Sequence, residues 1–445
     1  MKKILNINYF LILLIFLFPI FLTTGPAIPD ITLTIISLIF LFYIIKNSNY
    51  SVFNQSWFKI GLALWLWFII ISFFAYDKKI SFSDAIIFIR FLIFIIAIQY
   101  IIINEKVRSN LFKVIFVFSI LVTIDSYYQL FNYDPEFGFL NDIFGRMPDG
   151  LYGRLSGPFK DLVPGSVLTK FFFLSLLLIK INENRIKNNK LLYLSTFIIF
   201  SFIITIIYFS GERIAYASLL LGIAIVIFFS KNLRKILLLS IFFSLIISFF
   251  IYNFHPIYQN IKIIESTAKH EGLTIEKEYT CKNNIEEKCK KLFKVQPKFI
   301  EVLRNFKGSA YGEIYLTATK IWMDNKFFGI GLNNFTSVCK NELQYNKFHP
   351  NFPCTTHPHN FYIQALVESG IIGLILFSLL ICSFIVTIIN SKQDINYKLI
   401  FVVSLIVVFW PIMSTGSFLK NWHMTTVSYL VGICLTNPKK IKIFN

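Results

Sequence analysis

The residues of this chain best suited to chemistry are two histidines and a few isolated cations set among long apolar runs. His357-Pro358-His359-Asn360 opens a stretch that runs through Glu368-Ser369-Gly370-Ile371-Ile372-Gly373. Pro358 fits the first position of a helix, where a missing N–H costs nothing. That places His359 in the first turn, where the positive end of the helix dipole disfavours imidazolium. A neutral imidazole is what a general base needs near pH 7. His359 is therefore the candidate base, with His357 as the alternative. The plainer reading is a histidine capping a helix at a wet interface.

The cations suggest the partner of such a base. Arg213, in Ser210-Gly211-Glu212-Arg213, sits between two apolar runs. A guanidinium fork donates two parallel hydrogen bonds to a phosphate, which lysine cannot do; the plainer reading is an interfacial arginine paired with Glu212. Arg154, in Gly153-Arg154-Leu155-Ser156-Gly157-Pro158-Phe159, is a further phosphate or sugar contact or an ordinary loop residue. Arg90 and Lys170 fall about 10 Å inside apolar runs at 1.5 Å per helical residue. Intramembrane charges are costly and usually line a cavity. Both suit an anionic headgroup, unless a structural ion pair, for example with Asp125, holds them.

These side chains must be positioned by membrane helices. The 445 residues are 56% hydrophobic and 15% charged, against about 25% charged in a soluble domain. Apolar runs of spanning length predict helices near 8–23, 31–45, 58–76, 83–103, 111–130, 162–180, 191–209, 213–230, 235–253, 361–389, 397–414 and 422–436. The expected fold is all-α, a polytopic membrane protein of about twelve transmembrane helices. Its expected parts are helices one to nine (1–253), a large loop (254–358), and the last three helices with a tail (359–445). The first run reads as a retained helix, because no small-residue cleavage site follows it.

Charge sets the expected orientation. With the N-terminus inside, the short inner loops hold nineteen Lys or Arg and the short outer ones hold seven. The positive-inside rule then puts both termini in the cytoplasm and residues 254–358, 131–161 and 210–213 outside. It also accounts for most of the +19 formal charge, so the excess does not point to nucleic acid. Within the large loop, Ile314, Tyr315, Ala318, Ile321 and Trp322 share one helical face, which predicts an amphipathic helix ending near Asn325. A glycine turn, Gly329-Ile330-Gly331, follows.

Four of the six cysteines, Cys281, Cys289, Cys339 and Cys354, fall in this loop. An even number on an oxidising face predicts disulfides, paired as Cys339–Cys354 and the more local Cys281–Cys289. A zinc site from Cys339, Cys354, His357 and His359 is the rival, although no CxxC pair is present. There is no phosphate-binding Walker loop, dinucleotide fingerprint, GxSxG or HExxH. A nucleotide-driven pump and a serine hydrolase are therefore not expected.

The run Phe328-Gly329-Ile330-Gly331-Leu332-Asn333-Asn334-Phe335, with His357-Pro358-His359-Asn360 and Glu368–Gly373, resembles the core motif of the O-antigen ligase and polymerase superfamily. Its layout is similar: about twelve helices, GT-C-like, with a large periplasmic loop before the last three. The resemblance implies a metal-independent, inverting glycosyltransferase of the bacterial inner membrane that needs no cofactor. Its donor is a glycan on undecaprenyl pyrophosphate. Its acceptor is lipid A core, a growing glycan or a protein, with the ligase reading put first. The motif histidine is the base, a role that falls on His359. The Ser-Gly-x-Arg turn binds pyrophosphate, a role that falls on Arg213, helped by Arg154, Arg90 or Lys170. Ligases of the family often carry an arginine just before the amphipathic helix. Here that stretch reads Ser309-Ala310-Tyr311-Gly312-Glu313, and Arg304 is the nearest substitute. Protein oligosaccharyltransferases share the motifs, and a transporter of lipid-linked sugars is the alternative from another class; the chain shows no related halves of the kind many transporters have.

Overall fold

The computed structural model describes residues 2–150, 152–267, 272–282, 284–296, 299–346, 354–412 and 416–437. In chain order these form α1 (Lys2–Phe21), α2 (Ala27–Lys46), α3 (Ser56–Ser72), α4 (Lys78–Ile101), α5 (Glu105–Phe131), β1 (Tyr133–Asp134), β2 (Gly138–Phe139), α6 (Pro164–Ile181), α7 (Glu183–Asn188), α8 (Lys190–Phe209), α9 (Arg213–Phe229) and α10 (Lys231–Phe254). Then follow β3 (Ile261–Thr267), β4 (Gly272–Cys281), β5 (Asn284–Val295), α11 (Phe299–Arg304), α12 (Ala310–Asp324), α13 (Phe335–Asn341), α14 (Leu343–Asn346), α15 (Phe361–Ile389), α16 (Ile395–Val408) and α17 (Asn421–Cys434). Each apolar run read from the sequence overlaps a helix over most of its described length, the run 397–414 through Ile395–Val408 and the run 58–76 through Ser56–Ser72. Eight helices among the described residues are long and apolar enough to cross a membrane, and Ser56–Ser72, Arg213–Phe229 and Ile395–Val408 are shorter apolar ones. The chain is an all-α polytopic membrane protein with few strands.

Two compact units divide it, residues 1–108 with 309–445 and residues 109–308. In the first, α3 packs against α4 and α15, α4 against α2 and α17, and α12 against α15. Its core is aromatic: Phe18 stacks on Tyr429 at 4.4 Å, and the buried Tyr429 hydroxyl donates to the Ile15 carbonyl at 2.9 Å. Buried side-chain amides meet here, as an apolar surround favours: Gln55 donates to Gln99 at 3.1 Å and accepts from Trp57 at 3.0 Å. The amphipathic helix is α12. Ile314, Ala318 and Ile321 are buried against Ile330, Phe335, Val338 and Val367, with Tyr315 and Trp322 packed alongside.

In the second unit α10 lies against α8 and α9, and α6 against α8 and α9. Strands β3, β4 and β5 form an antiparallel sheet where the sequence shows a Lys/Glu-rich stretch. Alternation explains it. Leu273, Ile275 and Lys277 point to one face and are buried. Glu276 and Glu278 point to the other, paired with Lys290 and Lys288. The large loop thus contributes its first part to this unit and, from Ser309, its second part to the other.

Candidate functional site

In the first unit the histidine segment is the lead-in to α15. Asn360 caps that helix, accepting from the Tyr362 N–H at 2.9 Å and the Ile363 N–H at 3.2 Å. Its own amide donates to the Pro411 carbonyl at 2.8 Å. Asparagine is among the strongest N-caps, so the helix starts at Phe361, and His359 precedes it rather than occupying its first turn. His359 has φ 56°, a conformation uncommon outside glycine and found at constrained sites. Its half-buried ring lies 4.2 Å from that of His357 and 5.7 Å from that of Tyr311. His357 is buried, with Nδ1 2.9 Å from the Thr356 hydroxyl.

The approach to the histidines is tied down. Cys354 is bonded to Cys339, their Cα atoms 5.8 Å apart. Thr336 donates to the Thr355 carbonyl at 2.9 Å, and Thr355 donates to the His357 carbonyl at 3.0 Å. With Cys339 and Cys354 joined, the zinc alternative loses two of its four ligands.

The two glycine motifs form one structure. Gly370 has φ 69° and ψ −174°, which breaks α15. The break frees the Val367 and Glu368 carbonyls from their helical partners, and these accept from the N–H groups of Ile330 and Gly331, both at 3.0 Å. The released Ile371 N–H donates to the Lys326 carbonyl at 2.9 Å. The Ser369 carbonyl accepts from the Trp67 indole N–H at 2.9 Å, so these exposed ends of the broken ladder are answered by residues 326–331 and by α3, as buried backbone demands. The turn is also fastened to the start of α4: Asn334, fully buried, accepts from the Asp77 N–H at 3.2 Å, and the Leu332 N–H donates to Ser81 at 3.0 Å.

Arg90 holds a structural pair. Its guanidinium makes contacts of 2.8 and 3.1 Å to the two oxygens of Asp30 and donates to Asn421 at 2.8 Å. It thereby joins α2, α4 and α17. Asp125, the partner considered from the sequence, accepts instead from the Ile143 N–H at 3.1 Å.

The second unit gathers Arg154, Lys170 and the Ser210–Arg213 turn around one carboxylate. Glu212 accepts from the Gly165 N–H at 2.7 Å and from the Ser166 N–H at 3.1 Å. It thus caps α6, whose start offers unpaired N–H groups. Burial pushes the Glu212 carboxyl up, opposed by Arg154, the Ser166 N–H, Lys170 and the Gly165 N–H. Lys170 is buried and donates to the Ser166 hydroxyl at 2.6 Å. Arg154 donates to the Leu162 carbonyl at 2.9 Å, and the neighbouring Leu155 N–H donates to the Ser210 carbonyl at 3.3 Å. The glycines make this approach possible: a Cβ on Gly211, at φ 80°, would meet Arg154 Cγ at 2.9 Å, and one on Gly165 would meet Ser210 Oγ at 2.3 Å. Arg213 is the first residue of α9 and half-buried.

Gln129, which the sequence reading passed over, organises the Arg154 loop. Fully buried, it accepts from the N–H groups of Ser156 and Gly157, both at 2.9 Å. A polar residue one turn from the end of an apolar helix was the available signal. Glu212 was legible only as a possible partner of Arg213. Arg304, the last residue of α11, is exposed. Cys281 and Cys289 bridge β4 and β5 with Cα atoms 5.3 Å apart.

No curated protein matches the chain. Residues 198–378 match the family model described as O-antigen ligase. That span takes in the Ser210–Arg213 turn, the glycine turn, both histidines and the Glu368–Gly373 stretch, while Arg90, Arg154 and Lys170 precede it. Residues 198–378 therefore carry an O-antigen ligase domain, and that match supports the O-antigen ligase superfamily for the chain.

Proposed function

We propose that the chain transfers a glycan from an undecaprenyl pyrophosphate carrier to an acceptor hydroxyl, in the first instance on lipid A core, at the periplasmic face of the inner membrane. His359 takes the acceptor proton. The acceptor oxygen attacks the anomeric carbon opposite the leaving group, the bond to pyrophosphate breaks, and its electron pair departs with the carrier. Attack from the opposite face inverts the anomeric centre without a covalent intermediate. Arg213 and Arg154, with Lys170 and Arg304, neutralise the pyrophosphate; fixed charge aimed at a developing anion is usually a large catalytic contribution. Arg90 is assigned to the Asp30 pair.

The observation that supports this reading best is the fixed setting of His359. It is a half-buried imidazole at a left-handed backbone position, against His357 and Tyr311, within the residues that match the family. The test is transfer by the purified chain, given a lipid-linked oligosaccharide and candidate acceptors. His359→Ala is expected to abolish transfer while leaving the protein folded, and His357→Ala to be milder. Normal transfer by His359→Ala removes the base assignment. Intact pyrophosphate linkage with every acceptor favours a transporter. For orientation, a membrane-impermeant thiol reagent is expected to label Lys307→Cys from outside, and Asn188→Cys only after lysis.

A further inference from the structure

The segment after α5 turns back along the helix it has just left. Leu140 donates its N–H to the Asn132 carbonyl at 2.8 Å, level with the end of α5. Three residues on, the Ile143 N–H reaches the carboxylate of Asp125 at 3.1 Å. The chain then returns, with the Arg146 carbonyl accepting from Gln129 at 3.1 Å. Asp125 lies five residues inside the apolar run 111–130, or about 8 Å below its end at 1.5 Å per residue. Residues 142–146 are therefore a hairpin folded back beside the last turns of α5, level with its apolar run rather than beyond its end.

The hairpin is built, and its tip is apolar. Asp142 accepts from the Arg146 N–H at 2.6 Å through its side chain, and its own N–H donates to the Arg146 carbonyl at 2.9 Å. Gly145, at φ 81°, makes the turn. Arg146 also donates to the Pro158 carbonyl. So the N–H groups of Asp142, Ile143, Gly145 and Arg146 are all bonded within the protein, which lowers the cost of irregular chain beside a bilayer. Yet Ile143 is 53%, Phe144 70% and Met147 49% exposed. On α5 itself, Leu121, Ile124 and Tyr128 are likewise apolar and exposed.

We propose that the Ile143–Phe144 tip is a membrane anchor, seated among the acyl chains of the leaflet at the C-terminal end of α5. Burying Phe144 there holds the chain leading to Arg154 against the membrane surface. The occupant is bilayer hydrocarbon, because the exposed apolar tip lies beside the apolar run of α5, whose Leu121, Ile124 and Tyr128 are exposed as well. This inference rests on the membrane fold, not on the transfer reaction.

The test uses the full chain in phosphatidylethanolamine–phosphatidylglycerol vesicles, with Cys382 and Cys434 replaced by serine and a nitroxide attached at Phe144→Cys. Collision with oxygen is compared with collision with a water-soluble nickel chelate, and Lys160→Cys serves as a loop control. Oxygen is expected to dominate at position 144 and the chelate at position 160. A chelate-dominated signal at 144 overturns the proposal by placing the tip in water. Inaccessibility to both overturns it by showing a protein cover. If Phe144→Cys is not recovered folded, Ile143→Cys gives the same reading.

Discussion

Gly331 donates its N–H to the carbonyl of Glu368 at 3.0 Å. This bond joins two glycine-containing motifs far apart in the chain, and it exists because Gly370 interrupts α15. A Cβ on Gly370 would lie 2.0 Å from the Phe327 carbonyl oxygen, and one on Gly329 2.6 Å from the Glu368 carbonyl carbon. Both positions also have positive φ.

Gly370→Ala and Gly329→Ala should therefore each destabilise the protein by more than the 1–2 kcal/mol of left-handed strain alone, roughly 3 kcal/mol or above. Gly150→Ala is the control. It has φ 103° but its nearest contact is Leu162 Cδ1 at 3.7 Å, so it carries strain without a clash. Melting temperatures in detergent should fall much further for the first two than for the control. Equal losses would mean that the close approach of the two motifs is unimportant.

The helices were legible because apolar runs of membrane length have few other uses. The α12 face was legible from its period, as the burial of Ile314, Ala318 and Ile321 shows. The break in α15 was not. A single glycine in a helix is tolerated, so Gly370 gave no sign of φ 69° until the backbone groups of 326–331 were seen to fill the gap. Asp30, which holds Arg90, is remote in sequence, and nothing local marks the pair. The sheet was hidden because Lys and Glu dominate its exposed face and mask the alternation beneath.

The Arg90–Asp30 pair gives a second prediction. Removing one partner leaves a charge inside the membrane region, whereas removing both does not. Arg90→Ala and Asp30→Ala should each lower thermal stability, and the double variant should be less destabilised than the sum. Additive losses in the double-mutant cycle would show that the pair is not coupled.

Arg213 and Glu212 should fail in different ways. Arg213→Lys keeps the charge but loses the fork, so transfer should drop severely. Varying the donor concentration separates weaker carrier binding from slower leaving-group departure. Glu212→Ala strips the cap from Gly165 and Ser166 and should cost about 1 kcal/mol of stability, the usual worth of an N-cap. Glu212→Gln, which retains an oxygen for those N–H groups, should recover part of it. If Glu212→Gln is no better than alanine, the charge rather than the cap is what matters there.

The Cys339–Cys354 bridge closes a loop of sequence separation 15, for which loop entropy gives about 3 kcal/mol. Replacing both residues by serine should lower the melting temperature and reduce transfer, because His357 and His359 follow directly. Replacing Cys281 and Cys289, in a hairpin already held by strand pairing, should cost less. Peptide mapping without reduction checks the pairings themselves, and free thiols at Cys339 and Cys354 would remove the argument.

Lys277 provides the clearest dependence on pH. Its amine lies 4.7 Å from the centre of the Tyr133 ring and donates to the Pro256 carbonyl. Burial lowers its pKa from 10.5 to about 8. Between pH 8 and 10.5 the unfolded chain keeps a proton that the folded one has released, so stability from this group rises with pH across that window. Below pH 8 both states are protonated, and the cost of burying the charge is constant. Lys277→Met has no such window. The melting temperature of the unsubstituted protein minus that of Lys277→Met should therefore climb between pH 8 and pH 10.5 and be flat below. Tyrosines that titrate over the same range contribute to both proteins and largely cancel in the difference. A flat difference would mean that the amine is solvated in the folded protein, and that the sheet does not bury it against Tyr133.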